Sequence, residues 1–141
     1  MQEAYGIAPV RTAVAGFSQG GILSASVALT APESVAGSAV FAGRILPEIE
    51  PALASPQQLR RLHGLVTHGL DDTKLPVTWA QRADAWLVQL GVPHATRLYP
   101  GDHGISQQMA RDFLDCSRPC FRPLPAASLL VGACPDQEEE A

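Results

Sequence analysis

The segment Gly16-Phe17-Ser18-Gln19-Gly20 has the residue types and spacing of a serine nucleophile held on a tight turn. A serine hydroxyl attacks a carbonyl carbon when it is exposed between a strand and a helix and a neighbouring base accepts its proton. The backbone N–H of Gln19 would then stabilise the oxyanion that forms. The two glycines suit such a turn, because the residues two before and two after the serine press against each other. The pattern is also typical of a plain glycine-rich turn, so this chemistry requires a base and an acid elsewhere in the chain.

Both partners are available further along the sequence. His103 lies in the glycine-flanked segment 101–104, and the segment 68–72 ends in Asp71 and Asp72. The chain order of serine, acid and histidine is one of the known orders of a catalytic triad. Asp102 is a third candidate for the acid. It is the weakest on geometry, because one side chain rarely orients the ring of the next residue in sequence.

Four short strands alternate with helical segments, a pattern typical of a parallel sheet with helices on its faces. The strands are predicted at 12–16, 38–42, 65–67 and 95–99, and the main helices at 20–30, 79–90 and 106–116. The carboxyl ends of parallel strands lie along one edge of the sheet. The serine, acid and histidine segments each follow a strand, so they should meet at that edge. The helix at 20–30 is apolar on nearly every face and should lie deep inside the protein.

Three motifs in this order resemble the phospholipase/carboxylesterase family of α/β-hydrolases, which includes acyl-protein thioesterase-like enzymes. They are Gly-Phe-Ser-Gln-Gly-Gly at 16–21, His-Gly-x-x-Asp-x-x-Leu-Pro at 68–76 and Tyr-x-Gly-x-His at 99–103. The resemblance runs from about residue 6 to residue 114. It implies a Ser18–His103–Asp72 triad and singles out Asp72 rather than Asp71 as the acid. It also implies an ester, thioester or lysophospholipid substrate, no cofactor, and a homodimer in some members.

Several other residues have a functional and a structural interpretation. Phe17 is as well suited to packing as to lining an acyl pocket. His68 is expected to be a structural loop histidine bonded to the backbone, while His63 and His94 are expected to be solvated loop residues. No metal site is expected at the three cysteines, because no histidine follows them at ligand spacing. Their odd number also argues against a disulfide framework.

Composition excludes two classes of partner. The net charge of −4 is concentrated in the acidic run 136–140, and there is no basic stripe of the kind that binds nucleic acid. The longest apolar runs are too short to span a bilayer. The first residues lack the basic and apolar parts of a signal peptide, so a cytoplasmic location is expected.

The resemblance covers only part of a family domain. Residues 1–117 should form the C-terminal part of an α/β-hydrolase domain, and the proline-rich, acidic segment 118–141 should be poorly ordered. In the family several strands precede the serine strand, and a loop among them supplies a second oxyanion donor. Residues 1–11 have no room for these. We expect a fragment or a mis-started reading frame. The alternatives are a chain that completes its sheet with a partner, and an impaired remnant that acts only as an interaction module.

Overall fold

The computed structural model describes the backbone of residues 1–120 and the side chains of residues 1–117. Its centre is a four-stranded parallel sheet in the order β1-β2-β3-β4. The strands are β1 (Ala13–Phe17), β2 (Gly37–Phe41), β3 (His63–Gly69) and β4 (His94–Tyr99). The helices are α1 (Gln2–Tyr5), α2 (Gln19–Thr30), α3 (Pro56–Leu59), α4 (Thr78–Leu90) and α5 (Gln107–Cys120). The predicted alternation of strands and helices is therefore confirmed.

The register of the sheet brings the strand ends into line. One row of paired residues crosses all four strands, from Phe17 to Phe41, Thr67 and Arg97. Ser18 and His68 come directly after this row on β1 and β3. The loops that follow β3 and β4 start at residues 70 and 100, three residues after the row on each strand. Because the strands are parallel and in register, these loops open at the same edge of the sheet.

Apolar side chains cover both faces of the sheet. On one face, α2 and α4 pack on a cluster that includes Leu29, Val40, Val66 and Leu87. On the other face, α5 packs through a smaller cluster that includes Phe41, Leu65 and Met109. Each large aliphatic side chain buried in this way contributes about 1.5–3 kcal/mol. The two faces together hold the strand ends, and therefore the loops, in fixed relative positions.

The prediction that α2 lies deep inside the protein was wrong for one side of that helix. Ala25, Ala28 and Leu29 are buried, but Leu23 is 67% exposed and Val27 is 42% exposed. The neighbouring strand β1 pairs only with β2 within residues 1–120, so its other edge is open. Sequence hydropathy cannot tell which apolar faces the sheet will cover, because this depends on where the strand lies in the sheet.

The histidines and cysteines also depart from expectation. His63 starts β3 and is half-buried, and burial lowers its pKa. His94 starts β4, and its ring nitrogens contact Val92 O at 2.8 Å and Asp84 Oδ1 at 2.8 Å. Neither residue lies in a solvated loop. Cys116 is disulfide-bonded, contrary to the expectation drawn from the odd number of cysteines. The segment predicted to be poorly ordered is 118–141; the backbone of α5 includes its first three residues, and from residue 121 it lies outside the described residues.

Candidate active site

Ser18 occupies a strained turn between β1 and α2. It is the N-cap of α2, with a φ of 54° and a ψ of −114°, a backbone conformation rarely adopted by residues other than glycine. Its N–H donates to Phe41 O at 2.8 Å, which anchors the turn to β2. Such strain persists only where the surrounding structure enforces it, and it is concentrated at functional sites.

Close backbone approach explains Gly16 but not Gly20. A Cβ added at position 16 would lie 2.0 Å from Gly20 O, so only glycine fits there. A Cβ added at position 20 would meet no atom within 4 Å, so the expectation that both positions require glycine was wrong for Gly20. The tight contacts on the helix side fall at Gly21, where an added Cβ would lie 3.0 Å from Gly16 O.

A second tight turn, which the sequence analysis did not identify, follows β2 and packs against the serine turn. A Cβ at Gly43 would lie 2.8 Å from Val40 Cγ1 and 3.1 Å from Ser18 O. Ala42, directly after β2, has a φ of 48° and donates its N–H to Thr67 O at 2.9 Å. The segment after β2 is therefore pressed against the serine turn. Its only sequence signal is the glycine after the second predicted strand.

The side chains of Ser18, His103 and Asp72 form one continuous line of hydrogen-bonding contacts. His103 Nε2 lies 3.2 Å from Ser18 Oγ, and His103 Nδ1 lies 2.7 Å from Asp72 Oδ2. Asp72 is an acceptor, so Nδ1 carries the proton and donates it to the carboxylate. In the neutral ring this leaves the lone pair of Nε2 facing the serine hydroxyl, which is the arrangement required of a general base.

The carboxylate of Asp72 is buried but well satisfied. Its side chain is fully shielded from solvent, and its Oδ1 accepts the N–H groups of Leu75 at 2.7 Å and Lys74 at 2.9 Å. Burial raises the pKa of Asp72. The N–H of Leu75, the contact with His103 and the N–H of Lys74 together lower it further than burial raises it, so the net pKa lies below its ordinary value. Asp72 is thus held as the charged partner of His103.

The two competing carboxylates have other partners. Asp102 accepts the N–H and the hydroxyl of Thr73, each at 2.8 Å, and also the N–H of His103 at 2.7 Å. These bonds, led by the Thr73 N–H, lower the pKa of Asp102. Asp71 Oδ2 accepts the N–H of Gly101 at 3.3 Å. Both therefore tie the loop after β3 to the loop after β4, and neither contacts the ring of His103.

His68 is the last fully buried side chain of β3. Its ring is completely shielded from solvent, with Nε2 2.7 Å from Leu75 O and 3.3 Å from Asp72 Oδ2. A bond from this ring to the backbone was expected, although the residue lies within the strand rather than in the loop. The side chain therefore contacts Asp72 Oδ2, the same carboxylate oxygen that His103 Nδ1 contacts.

Phe17 and Gln19 flank the serine in different ways. The Phe17 ring is 38% exposed and lies 4.9 Å from the His103 ring, centroid to centroid, so it packs on the imidazole. Gln19 is the first residue of α2, where the N–H has no partner inside the helix. The positive end of the helix dipole adds to the positive potential at this point. The pocket-lining role of Phe17 and the oxyanion role of Gln19 stay predictions.

No group of three His, Cys, Asp or Glu side chains within the described part of the chain is arranged to hold a metal ion. In the same residues, no helix is long and apolar enough to cross a membrane.

The family model described as Phospholipase/Carboxylesterase matches residues 2–117, most of the chain. The chain belongs to this family. Two relatives from Arabidopsis thaliana are similar to this family member: a probable carboxylesterase SOBER1-like is 34% identical over 104 residues, and carboxylesterase SOBER1 is 30% identical over 106 residues. The matches cover 73% and 74% of this chain but only 40% and 46% of the relatives, so the chain spans less than half of their length.

Solved structures agree with the family assignment. The crystal structure of Arabidopsis thaliana SOBER1 superimposes with a TM-score of 0.76 at 26% identity, over 86% of this chain and 58% of that chain. The Bacillus cereus carboxylesterase gives a TM-score of 0.74 at 13% identity, which speaks for the fold alone. The predicted partial α/β-hydrolase fold of this phospholipase/carboxylesterase family member is therefore confirmed.

Proposed function

We propose that this protein hydrolyses carboxylic esters through an acyl-enzyme formed on Ser18. The observation that carries the proposal is the unbroken line of contacts from Ser18 Oγ through the His103 ring to the Asp72 carboxylate. Family membership supports the same reaction class, and the relatives named above are described as carboxylesterases.

In the proposed mechanism, the bond from His103 Nδ1 to Asp72 fixes the tautomer in which Nε2 accepts a proton. Ser18 Oγ attacks the ester carbonyl as its proton moves to Nε2. The N–H of Gln19 stabilises the oxyanion of the tetrahedral intermediate. His103 then gives its proton to the departing alcohol, which leaves an acyl group on Ser18. Water, deprotonated by the same ring, releases the acid, and this chemistry requires no cofactor.

The proposed substrate is a small carboxylic ester, with thioesters and lysophospholipids as related acyl donors. All three present the same electrophilic carbonyl to Ser18 and differ only in the leaving group and the acyl chain. Phe17 is proposed to border the acyl chain, because its exposed ring lies against His103. We further propose that the protein acts in the cytoplasm and that a homodimer is its oligomeric form.

Covalent labelling with a fluorophosphonate tests the proposal, because only an activated serine reacts with it. The full chain should be labelled and should hydrolyse a short-chain nitrophenyl ester. Ser18→Ala should abolish both signals. Ser26→Ala is the matched control, since Ser26 lies within α2 and its hydroxyl donates to Ile22 O at 2.8 Å. Labelling that survives in Ser18→Ala, or is lost in Ser26→Ala, contradicts the assignment of Ser18.

A second candidate function is an interaction module without hydrolytic activity. The open edge of β1 and the exposed apolar side of α2 favour it, since such surfaces commonly pair with another chain. Under this alternative the folded wild-type chain would fail to react with the fluorophosphonate. A labelled wild-type chain would exclude it.

A further inference from the structure

His68 makes two contacts that matter for the acid. Its Nε2 lies 2.7 Å from Leu75 O and 3.3 Å from Asp72 Oδ2. The ring itself is 0% exposed. Both neighbours of Nε2 are oxygen acceptors, so this nitrogen carries a proton and donates it, with Leu75 O as the nearer acceptor.

The other ring nitrogen fixes the charge of the side chain. His68 Nδ1 is buried and has no hydrogen-bond partner among the described residues. A proton on this atom would be a buried donor without an acceptor, which proteins avoid. The ring is therefore neutral, with its single N–H at Nε2. The titratable groups that face it are the carboxylate of Asp72 and, in contact with the same carboxylate oxygen, the ring of His103.

Leu75 connects His68 to the carboxylate. Its carbonyl oxygen accepts from His68, while its N–H donates to Asp72 Oδ1 at 2.7 Å. The loop that presents the acid is thereby fastened to the buried end of β3. We propose that His68 is a positioning residue, which holds this loop so that Asp72 Oδ2 stays in line with His103 Nδ1. The inference rests on the proposed function, in which Asp72 is the acid of the triad.

A space-filling role does not account for this residue. A leucine would fill a buried site at a strand end without leaving a polar atom unsatisfied, whereas His68 leaves Nδ1 without a partner. The ring therefore combines an unsatisfied Nδ1 with an Nε2–H that donates to Leu75 O. The donor is therefore the property that distinguishes histidine at this position.

Two substitutions separate the donor from the packing. His68→Gln keeps an N–H donor at about the reach of Nε2. His68→Leu removes the donor but still fills the buried site, with an apolar side chain. Thr67→Val is the matched control. Thr67 is the preceding residue, it is equally buried, and its hydroxyl also has no partner among the described residues. Thermal unfolding of each full-length variant first establishes that it is folded.

The first measurement is independent of catalysis. Proton NMR should show the low-field resonance of the His103 Nδ1–H in the wild type, Thr67→Val and His68→Gln. We expect this resonance to be lost or broadened in folded His68→Leu, because the carboxylate is no longer held in line. A sharp, unchanged resonance in His68→Leu would overturn the proposal and leave His68 with a structural role only.

The second measurement is the pH profile for hydrolysis of a nitrophenyl ester. His68→Leu should lower kcat roughly 10- to 100-fold with little change in KM, as expected when a catalytic group is displaced by a fraction of an ångström to 1 Å. The acidic limb of its profile should move to lower pH, because a loosely held carboxylate stabilises the imidazolium less. His68→Gln should restore both properties. A limb that moves to higher pH, or a glutamine variant as impaired as the leucine variant, contradicts the proposal.

The two measurements also separate this inference from the proposed function. If the wild type shows the resonance but does not hydrolyse the ester or react with a fluorophosphonate, the esterase proposal fails. The effect of His68→Leu on the His103 Nδ1–H resonance would still show whether His68 positions Asp72.

Discussion

The two halves of the candidate site are built differently. On the β3–β4 side, every loop that presents a functional group is cross-linked to another. Asp72 accepts two backbone N–H groups, and Asp102 joins Thr73 to the loop of His103. On the β1–α2 side, the serine turn is anchored to the end of β2 and packed by the segment that follows it, and Leu23 on the adjacent helix is exposed. The acid and the base are thus held from several directions, whereas the nucleophile is supported from one.

This difference shows which parts of a triad can be stabilised locally. The acid–base pair depends on contacts within the segments 68–76 and 99–104, all of which lie in this chain. The geometry of Ser18 depends on backbone strain, which must be enforced by close packing under the turn. The predictions below perturb the two sides separately, beginning with the largest expected effect.

Asp72→Asn should impair the His103–Asp72 pair most directly. An amide cannot hold His103 in the tautomer that accepts the serine proton, so kcat/KM for a nitrophenyl ester should fall by about 10⁴-fold. Asp102→Asn should lower it less than about tenfold, because the amide oxygen still accepts the backbone N–H groups of Thr73 and His103. Steady-state kinetics on both variants check this. Equal losses would mean that the acid has been assigned to the wrong carboxylate.

Gly16→Ala should distort the turn that carries Ser18. The added Cβ would lie 2.0 Å from Gly20 O, so the turn must move, and the unfolding free energy should fall by about 3 kcal/mol or more. Gly20→Ala introduces no such contact and exchanges a glycine for a better helix former, so stability should stay equal or rise by up to about 1 kcal/mol. Urea unfolding of the two variants measures the difference, and similar destabilisation by both would refute it.

The same contrast explains what the sequence could and could not predict. Strand order and the convergence of Ser18, Asp72 and His103 follow from local patterns, because parallel strands necessarily place their carboxyl ends together. The burial of α2 and the close approach of Gly43 to Ser18 depend on residues far away in sequence. The consensus motif likewise gives Gly16 and Gly20 equal weight, whereas only the three-dimensional contacts show that they differ.

The acid–base side should also control stability at low pH. The folded-state pKa of Asp72 lies below its ordinary value of 3.8, so its stabilising contribution is fully present above that value and is lost as pH falls through the folded pKa. The wild type should therefore lose unfolding free energy as the pH falls below about 5, and Asp72→Asn should lose less over the same interval. Urea unfolding at several pH values tests this. An identical slope for both proteins would contradict it.

The smallest effect on stability is expected on the open side of α2. Leu23→Lys and Val27→Lys place charges on exposed apolar positions, so they should reduce self-association while changing the unfolding free energy by less than about 0.5 kcal/mol. Val88→Lys is the control, because Val88 is 65% exposed on α4, away from the open strand edge. Light scattering after gel filtration reports the mass. Equal reductions at all three positions would show that α2 is not a special surface.

The cross-links between the loops after β3 and β4 have a consequence for engineering. Asp71 and Asp102 each bond across from one loop to the other, and the backbones join as well, through Leu70 N to Tyr99 O at 2.8 Å and Asp71 N to Gly101 O at 2.9 Å. The two loops therefore form one transplantable cassette. Exchanging either loop alone between family members would break these hydrogen bonds between the loops. Exchanging both together would keep the bonds and would transfer the acid and the base in their existing alignment.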